Sequence, residues 1–367
     1  MTTTRGGRVA KRAALVVVSF LLASEIGLRI RNPFPFRVRG DHIVLPAHQS
    51  YTISHPGAIK LDPVTHVTKN SLGFRGPEPP RDWSRRFTLL TIGGSTTECL
   101  FLSDGKTWTD QLARRVTAVR PDVWINNAGF EGHSTFGHLV LLREFVVSMH
   151  PTMALFLTGY NDMKLGAALP RDGEFTPQNL SAGHRLMTFV ADHSQVGAVS
   201  ENFVRMFRTY QAGVRSDEVH LDRLVPRPLD EEKTNAILDE HRTRYVAGYA
   251  RRLTEIVELS RRNGIEPVLL TQPALYGDLN DPTTGASLAT AAIGSVSNGR
   301  VEWQSLELYN DVARRLSGEL RVRIIDLARE MPKDSTYFTD WVHYTNDGAT
   351  LVGDIVFSHL QPWLVPG

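Results

Sequence analysis

The 367-residue chain holds one cysteine, Cys99. A single thiol excludes an internal disulfide and any cysteine-built zinc site. Net charge is nearly absent as well, since 41 Lys and Arg stand against 39 Asp and Glu and leave a formal +2. That balance gives no electrostatic reason to expect a nucleic-acid partner. No internal repeat of about 20–50 residues is apparent either. A long charge-free apolar run is missing too: the best candidate, Ala13 to Ile30, is interrupted by Glu25 and Arg29. What remains is an ordinary globular composition with 22% charged residues, which argues against wholesale disorder. The length suits one large, decorated α/β domain or two smaller domains.

The N-terminus begins with a basic tail over residues 1–12 that carries Arg5, Arg8, Lys11 and Arg12. Residues 13–30 follow as an apolar segment that would reach ~27 Å as a helix, close to the thickness of a hydrocarbon core. Three readings compete. A cleaved signal peptide fits the charged start and short apolar core, but no small-x-small cleavage site follows Ala23. An uncleaved single-helix membrane anchor, with Glu25 and Arg29 near the interface, is favoured. The third is a buried or amphipathic helix of a soluble protein. Basic residues lie on both sides of the segment, so charge counting does not orient it. The large C-terminal part is expected outside the cytoplasm, periplasmic or at the cell surface, and secreted if the helix is cleaved.

Residues 31–86 are rich in Pro, His and Thr and read as an extended prefix that ends at Pro77-Glu78-Pro79-Pro80. From Phe87 the pattern alternates. Strands are expected at Phe87–Ile92, Val123–Asn126, Met153–Leu157, Glu266–Thr271 and Val322–Leu327. Helices are expected at Trp108–Val119, Phe136–Ser148, Asn235–Asn263, Gln304–Leu316 and about Asn346–Leu360. Residues 165–235 break the rhythm and read as an insertion with a helix near 199–211, a lid or pocket wall. Its Arg205, Arg208, Tyr210 and Arg215 could meet an acidic glycan, although a solvated helix face is the simpler account. Five strands separated by helices predict an α/β fold with a parallel sheet covered on both faces, over a domain of residues 87–362.

Functional groups of such sheets gather beyond the strand C-termini. Four blocks fall there. Gly93-Gly94-Ser95-Thr96-Thr97 follows the first strand. It could be a helix cap, a phosphate cradle or an exposed nucleophile, and it lacks the lysine of a Walker loop. Asn126-Asn127-Ala128-Gly129 follows the second strand; it is an ordinary turn, or a place where Gly129 offers its N–H to a substrate. Thr158-Gly159-Tyr160-Asn161-Asp162 follows the third, and the amide of Asn161 can point at a developing oxyanion. Asp340-Trp341-Val342-His343 lies between the last strand and the last helix. A carboxylate three residues before an imidazole can accept from Nδ1–H and leave Nε2 free as a base.

These four blocks, in this order, resemble the SGNH or GDSL hydrolase superfamily. The resemblance covers about Phe87–Leu360, outside the insertion, and Asn70-Ser71-Leu72-Gly73-Phe74-Arg75-Gly76 looks like the lead-in of its membrane-anchored bacterial members. Gly94 stands where the family usually has aspartate, a Gly-Gly-Ser-Thr variant similar to a branch associated with cell-surface or exopolysaccharide systems. The resemblance implies a flavodoxin-like five-stranded sheet and catalysis without metal or cofactor. It implies a catalytic set of Ser95, Asp340 and His343, with an oxyanion hole from the N–H groups of Ser95 and Gly129 and the amide of Asn161.

The expected activity is a serine esterase acting on small, acetyl-like esters of cell-surface or exported carbohydrate. Two alternatives share the motifs. One is an O-acyltransferase modifying a surface polysaccharide, with a membrane-embedded partner supplying acyl groups. The other is a non-catalytic carbohydrate-binding or assembly protein.

Overall fold

The computed structural model describes residues 5–34, 38–39, 42–165, 182–211 and 218–364. The chain divides into two compact units, one of Met1–Pro46 with Thr176–Arg215 and one of Ala47–Phe175 with Ser216–Gly367.

In the first unit, a helix spans Arg5–Ile30, and its Lys11–Ile30 stretch is long and apolar enough to cross a membrane. Helices Ala182–His193 and Gln195–Gln211 belong to the same unit. The carboxylate of Glu25 accepts from the backbone N–H groups of Gln195 and Val196, both at 3.1 Å, and from Ser194 Oγ at 2.8 Å. It thereby caps the orphan donors at the start of the Gln195–Gln211 helix. The side chains of Arg205, Arg208 and Tyr210, and the whole of Arg215, lie outside the described residues.

The second unit is built on a five-stranded parallel sheet. Its strands are β1 (Phe87–Gly93), β2 (Val123–Asn127), β3 (Met153–Thr158), β4 (Glu266–Thr271) and β5 (Arg323–Ile325). The spatial order is β5-β4-β3-β1-β2, the flavodoxin-like arrangement. In register, Leu90 lies opposite Asn126 on one side and Ala154 on the other. Both faces are covered, so the strands are apolar on both. Leu89, Leu155, Leu157, Val268 and Leu270 join one core with Leu112 and Val116 of the Trp108–Val119 helix and Val352 and Val356 of the Asn346–Leu364 helix. The intervening Leu90, Phe156 and Leu269 are equally buried and point to the opposite face, against which helices Val246–Arg262 and Gly299–Leu320 pack.

The expected helices differ from the observed ones at instructive places. Trp108–Val119 matches the expected range, because Thr107 and Asp110 close a capping box at its start. Trp108, Leu112 and Val116 make its buried face, and Val119 in the last turn is exposed. The helix expected from Gln304 begins earlier, at Gly299, where Asn298 Oδ1 accepts from Val301 N at 3.0 Å. The helices expected at 136–148 and 235–263 each contain a π-turn, Leu142–Val146 and His241–Tyr245.

The prefix is more than a lead-in. Strands Ser50–Ser54 and Val64–Thr68 form an antiparallel hairpin whose Thr65 and Val67 face inward, fully buried. The following segment runs along β2, an edge strand. Arg75 pairs with Asn127 through two backbone hydrogen bonds of 2.9 Å, and Asn70 Nδ2 donates to Asn126 Oδ1 at 2.8 Å. An otherwise open sheet edge is thus covered on this side.

Candidate active site

The β1/β3 boundary is the point where strand order reverses, and the candidate residues gather there. Ser95 opens a single helical turn, Ser95–Glu98, that Cys99 ends in the left-handed conformation at φ 51°. The first N–H groups of a helix have no partner within it, so the Ser95 N–H is not used by its own turn. Two glycines make room for this bend. An ideal Cβ on Gly93 would lie 2.1 Å from Thr97 Oγ1 and 2.9 Å from the Leu157 carbonyl oxygen. One on Gly94 would lie 2.3 Å from Asn161 Nδ2.

Ser95 Oγ lies 2.8 Å from His343 Nε2, and His343 Nδ1 lies 2.6 Å from Asp340 Oδ2. The other carboxylate oxygen, Oδ1, accepts from the backbone N–H groups of Val342 and His343, both at 2.8 Å. One Asp side chain therefore shapes the turn and orients the ring that the turn carries. The turn is closed behind by Thr339 N donating to the His343 carbonyl at 2.8 Å.

Burial alone would push the Asp340 carboxyl up, but the charge of His343 and the hydrogen bonds from His343 and Val342 hold it below the usual carboxylate range. His343 shows the reverse. Burial works to lower its pKa, yet the Asp340 carboxylate, with Glu131 beyond it, holds the imidazole above its ordinary value. The arrangement can carry a proton from a hydroxyl to an imidazole whose positive charge is already balanced.

Asn161 Nδ2 donates to the His133 carbonyl at 2.9 Å, which leaves the second N–H of the amide for another acceptor. The next residue, Asp162, is buried. It accepts from Thr135 N at 3.1 Å and from Arg252 Nη2 at 3.0 Å, while Arg252 Nε donates to Thr135 Oγ1 at 2.7 Å. Burial raises the Asp162 carboxyl despite Arg252 and Thr135. This network ties the Asn161 turn to the His133–Thr135 loop.

Gly129 requires a correction. Its N–H donates to Asn127 Oδ1 at 2.9 Å, so it is not available to an oxyanion. Its Cα is pressed under the serine turn instead, where a Cβ would come within 2.4 Å of Glu98 N. The glycine serves close packing. Three residues on, Gly132 takes a positive φ of 76° with open space around its Cα. It sits between Glu131 and His133, which line the two hollows beside Ser95.

One hollow, ≈ 230 Å³, is lined by polar groups that include Asn161, His133, Thr158 and Gln272. His138 also faces it; burial pushes its imidazole down to about 4, so it stays neutral. The second, ≈ 300 Å³, lies beside Ser95 and His343 and is walled by Phe101, Leu102 and Tyr344. The sequence reading also missed Lys69, Glu98 and Arg252. Each is a buried charged residue, and its ion-pair partner lies far away in sequence, so no local pattern marks it.

A serine turn on the rim of a doubly wound sheet, with an imidazole 2.8 Å from its hydroxyl, has the geometry that acyl-ester chemistry requires. The model of the GDSL-like Lipase/Acylhydrolase family matches residues 91–351, and the chain belongs to that family. Comparison with curated proteins finds no match. Among solved structures, the chain is similar to the acetylxylan esterase Axe2 from Geobacillus stearothermophilus, at 14% identity and a TM-score of 0.43 over 74% of this chain and 93% of that one. It is similar to the acetyl xylan esterase AlAXEase, at 12% identity and a TM-score of 0.43 over 74% and 99% of the two chains. A protein of the G-D-S-L family from Desulfitobacterium hafniense is similar at 10% identity, a TM-score of 0.40, and coverage of 74% and 99%. Identities this low carry no activity across.

Proposed function

We propose that the chain is a serine esterase for small, acetyl-like esters on cell-surface or exported carbohydrate, acting through Ser95, His343 and Asp340. The observation that carries this reading is the unbroken hydrogen-bond line from Ser95 Oγ through His343 to Asp340, 2.8 and 2.6 Å. Ser95 Oγ attacks the ester carbonyl carbon while His343 Nε2 takes its proton. The carbonyl oxygen becomes an oxyanion facing the Ser95 N–H and the second N–H of Asn161. Gly132 replaces Gly129 as the source of a third donor. The carbon–oxygen bond to the alcohol then breaks as His343 returns its proton to the leaving oxygen. Water adds to the acyl-enzyme with His343 again as base, and the carboxylic acid leaves.

The small polar hollow beside Ser95 and Asn161 supports a short acyl group. The membrane-length N-terminal helix and the Gly-Gly-Ser-Thr variant support an anchored enzyme whose catalytic unit acts on exported glycans. The purified full chain in detergent is expected to hydrolyse an activated acetyl ester, and Ser95→Ala to remove that activity and its fluorophosphonate labelling. Full turnover in Ser95→Ala overturns the assignment. Product analysis with an oligosaccharide acceptor separates hydrolysis from acyl transfer.

A further inference from the structure

Behind the serine turn lies a buried charge pair that no step of the reaction above uses. Lys69 comes from the prefix, just after the hairpin strand Val64–Thr68, and its side chain is 1% exposed. Its Nζ donates to Glu98 Oε1 at 2.8 Å and lies 5.1 Å from the centre of the Phe130 ring. Glu98 is the last residue of the Ser95 turn, and its side chain is 3% exposed. Its second oxygen, Oε2, accepts from Glu131 N at 2.5 Å. One carboxylate thus joins the turn that carries Ser95 to the loop that carries Glu131, Gly132 and His133. That loop holds Asn161 through the His133 carbonyl. A second prefix cation braces the same turn. Arg75 Nη1 donates to the carbonyls of Glu98 at 2.8 Å and Cys99 at 2.7 Å, and Nη2 to the Leu102 carbonyl at 2.8 Å.

We propose that Lys69 is a positioning residue of the esterase: by neutralising and aiming Glu98, it fixes the spacing between Ser95 and the oxyanion loop. The inference rests on the Ser95 reading. A buried ion pair adds little net stability over an apolar pair of similar volume, because desolvation offsets the attraction. Its specific gain here is geometric. Glu98 receives Lys69 at one oxygen and the Glu131 N–H at the other, so a single side chain ties the prefix, the serine turn and the oxyanion loop together. Oxyanion donors act through placement, and small displacements are costly in rate. The prefix from Ala47 onward then belongs to the catalytic unit, although it lies outside the family match at residues 91–351.

The test uses the full chain in detergent with an activated acetyl ester, alongside the rate of fluorophosphonate labelling of Ser95. Lys69→Met is expected to lower kcat by about tenfold or more with KM within about twofold, and to slow labelling in parallel. Lys69→Met strands the Glu98 charge and can impair folding, so two double variants decide the matter. Lys69→Met with Glu98→Met removes both charges and the acceptor; it is expected to fold with kcat still depressed. Lys69→Met with Glu98→Gln keeps an acceptor for Glu131 N–H and is expected to recover most of kcat. If the Met–Met variant regains both folding and wild-type kcat, the pair is merely structural and the inference is overturned. Wild-type activity in Ser95→Ala would instead overturn the Ser95 reading on which it rests.

Discussion

The side-chain amide of Asn161 occupies the place where residue 94 would carry a Cβ, with only 2.3 Å between Nδ2 and that ideal position. A Cβ there would also lie 3.1 Å from the His133 carbonyl oxygen, the acceptor that holds the amide. The backbone at Gly94 has a negative φ of −84°, so the case for glycine there rests on the collision with the Asn161 amide. The aspartate common in the family at this position would displace Asn161 in this chain.

Gly94→Ala is therefore expected to fold, with Asn161 pushed aside, and to lose about 100-fold or more in kcat on an acetyl ester. Thermal unfolding and steady-state kinetics on the same preparation check both halves. A variant with near wild-type kcat would show that the Asn161 amide tolerates displacement.

Asn161→Ala removes a donor without any collision. Its expected cost is about 10²–10³ in kcat with little change in stability. Gly132→Ala offers a comparison, since its Cα faces open space but its φ of 76° is strained for alanine. If neither variant slows turnover, the oxyanion is held elsewhere.

The pH dependence of kcat/KM should rise through the His343 titration, because the base must be neutral to take the Ser95 proton. That limb is expected above the ordinary imidazole value, since Asp340 and Glu131 raise the pKa of His343. Glu131→Gln removes one of those charges and should move the limb to lower pH. Stability runs with the opposite sign. The folded pKa exceeds the unfolded one, so the His343 contribution is full below the unfolded value and is lost as pH rises through the folded value. An unmoved limb in Glu131→Gln would remove Glu131 from the electrostatics of the site.

Arg252→Met leaves the Asp162 carboxyl, whose side chain is 1% exposed, without its cation. Breaking such a buried pair is expected to cost about 3–5 kcal/mol of stability, measurable by denaturant unfolding. A loss below ~1 kcal/mol would mean that Thr135 alone satisfies Asp162.

Much of this architecture was readable in the residues. The strands lie within two residues of their expected ends, because their apolar runs are buried on both faces and need no cross-strand information. Ser95, Asn161 and the Asp340–His343 pair could be singled out because each follows a strand or lies just before the last helix. That the Gly129 N–H is already held by Asn127 was not legible. Whether Gly129 or Gly132 has an available N–H depends on which way Asn127 Oδ1 turns, and that is a tertiary fact. Lys69 and Arg75 were hidden for a related reason. In sequence they are charges in a polar prefix; in space they are buried beneath the serine turn, 4% and 2% exposed.

The chain's only cysteine offers a practical consequence. Cys99 is buried against the core, its Sγ lies 3.2 Å from the Thr96 carbonyl, and burial pushes its thiol pKa up to about 12. Thiolate, not thiol, reacts with maleimides and iodoacetamides, so Cys99, buried and raised in pKa, is expected to label slowly at neutral pH in the folded state. The native chain is in effect a thiol-free scaffold. A cysteine introduced at any exposed position can be labelled singly with a fluorophore or spin probe, and Cys99 will report only when the serine turn opens.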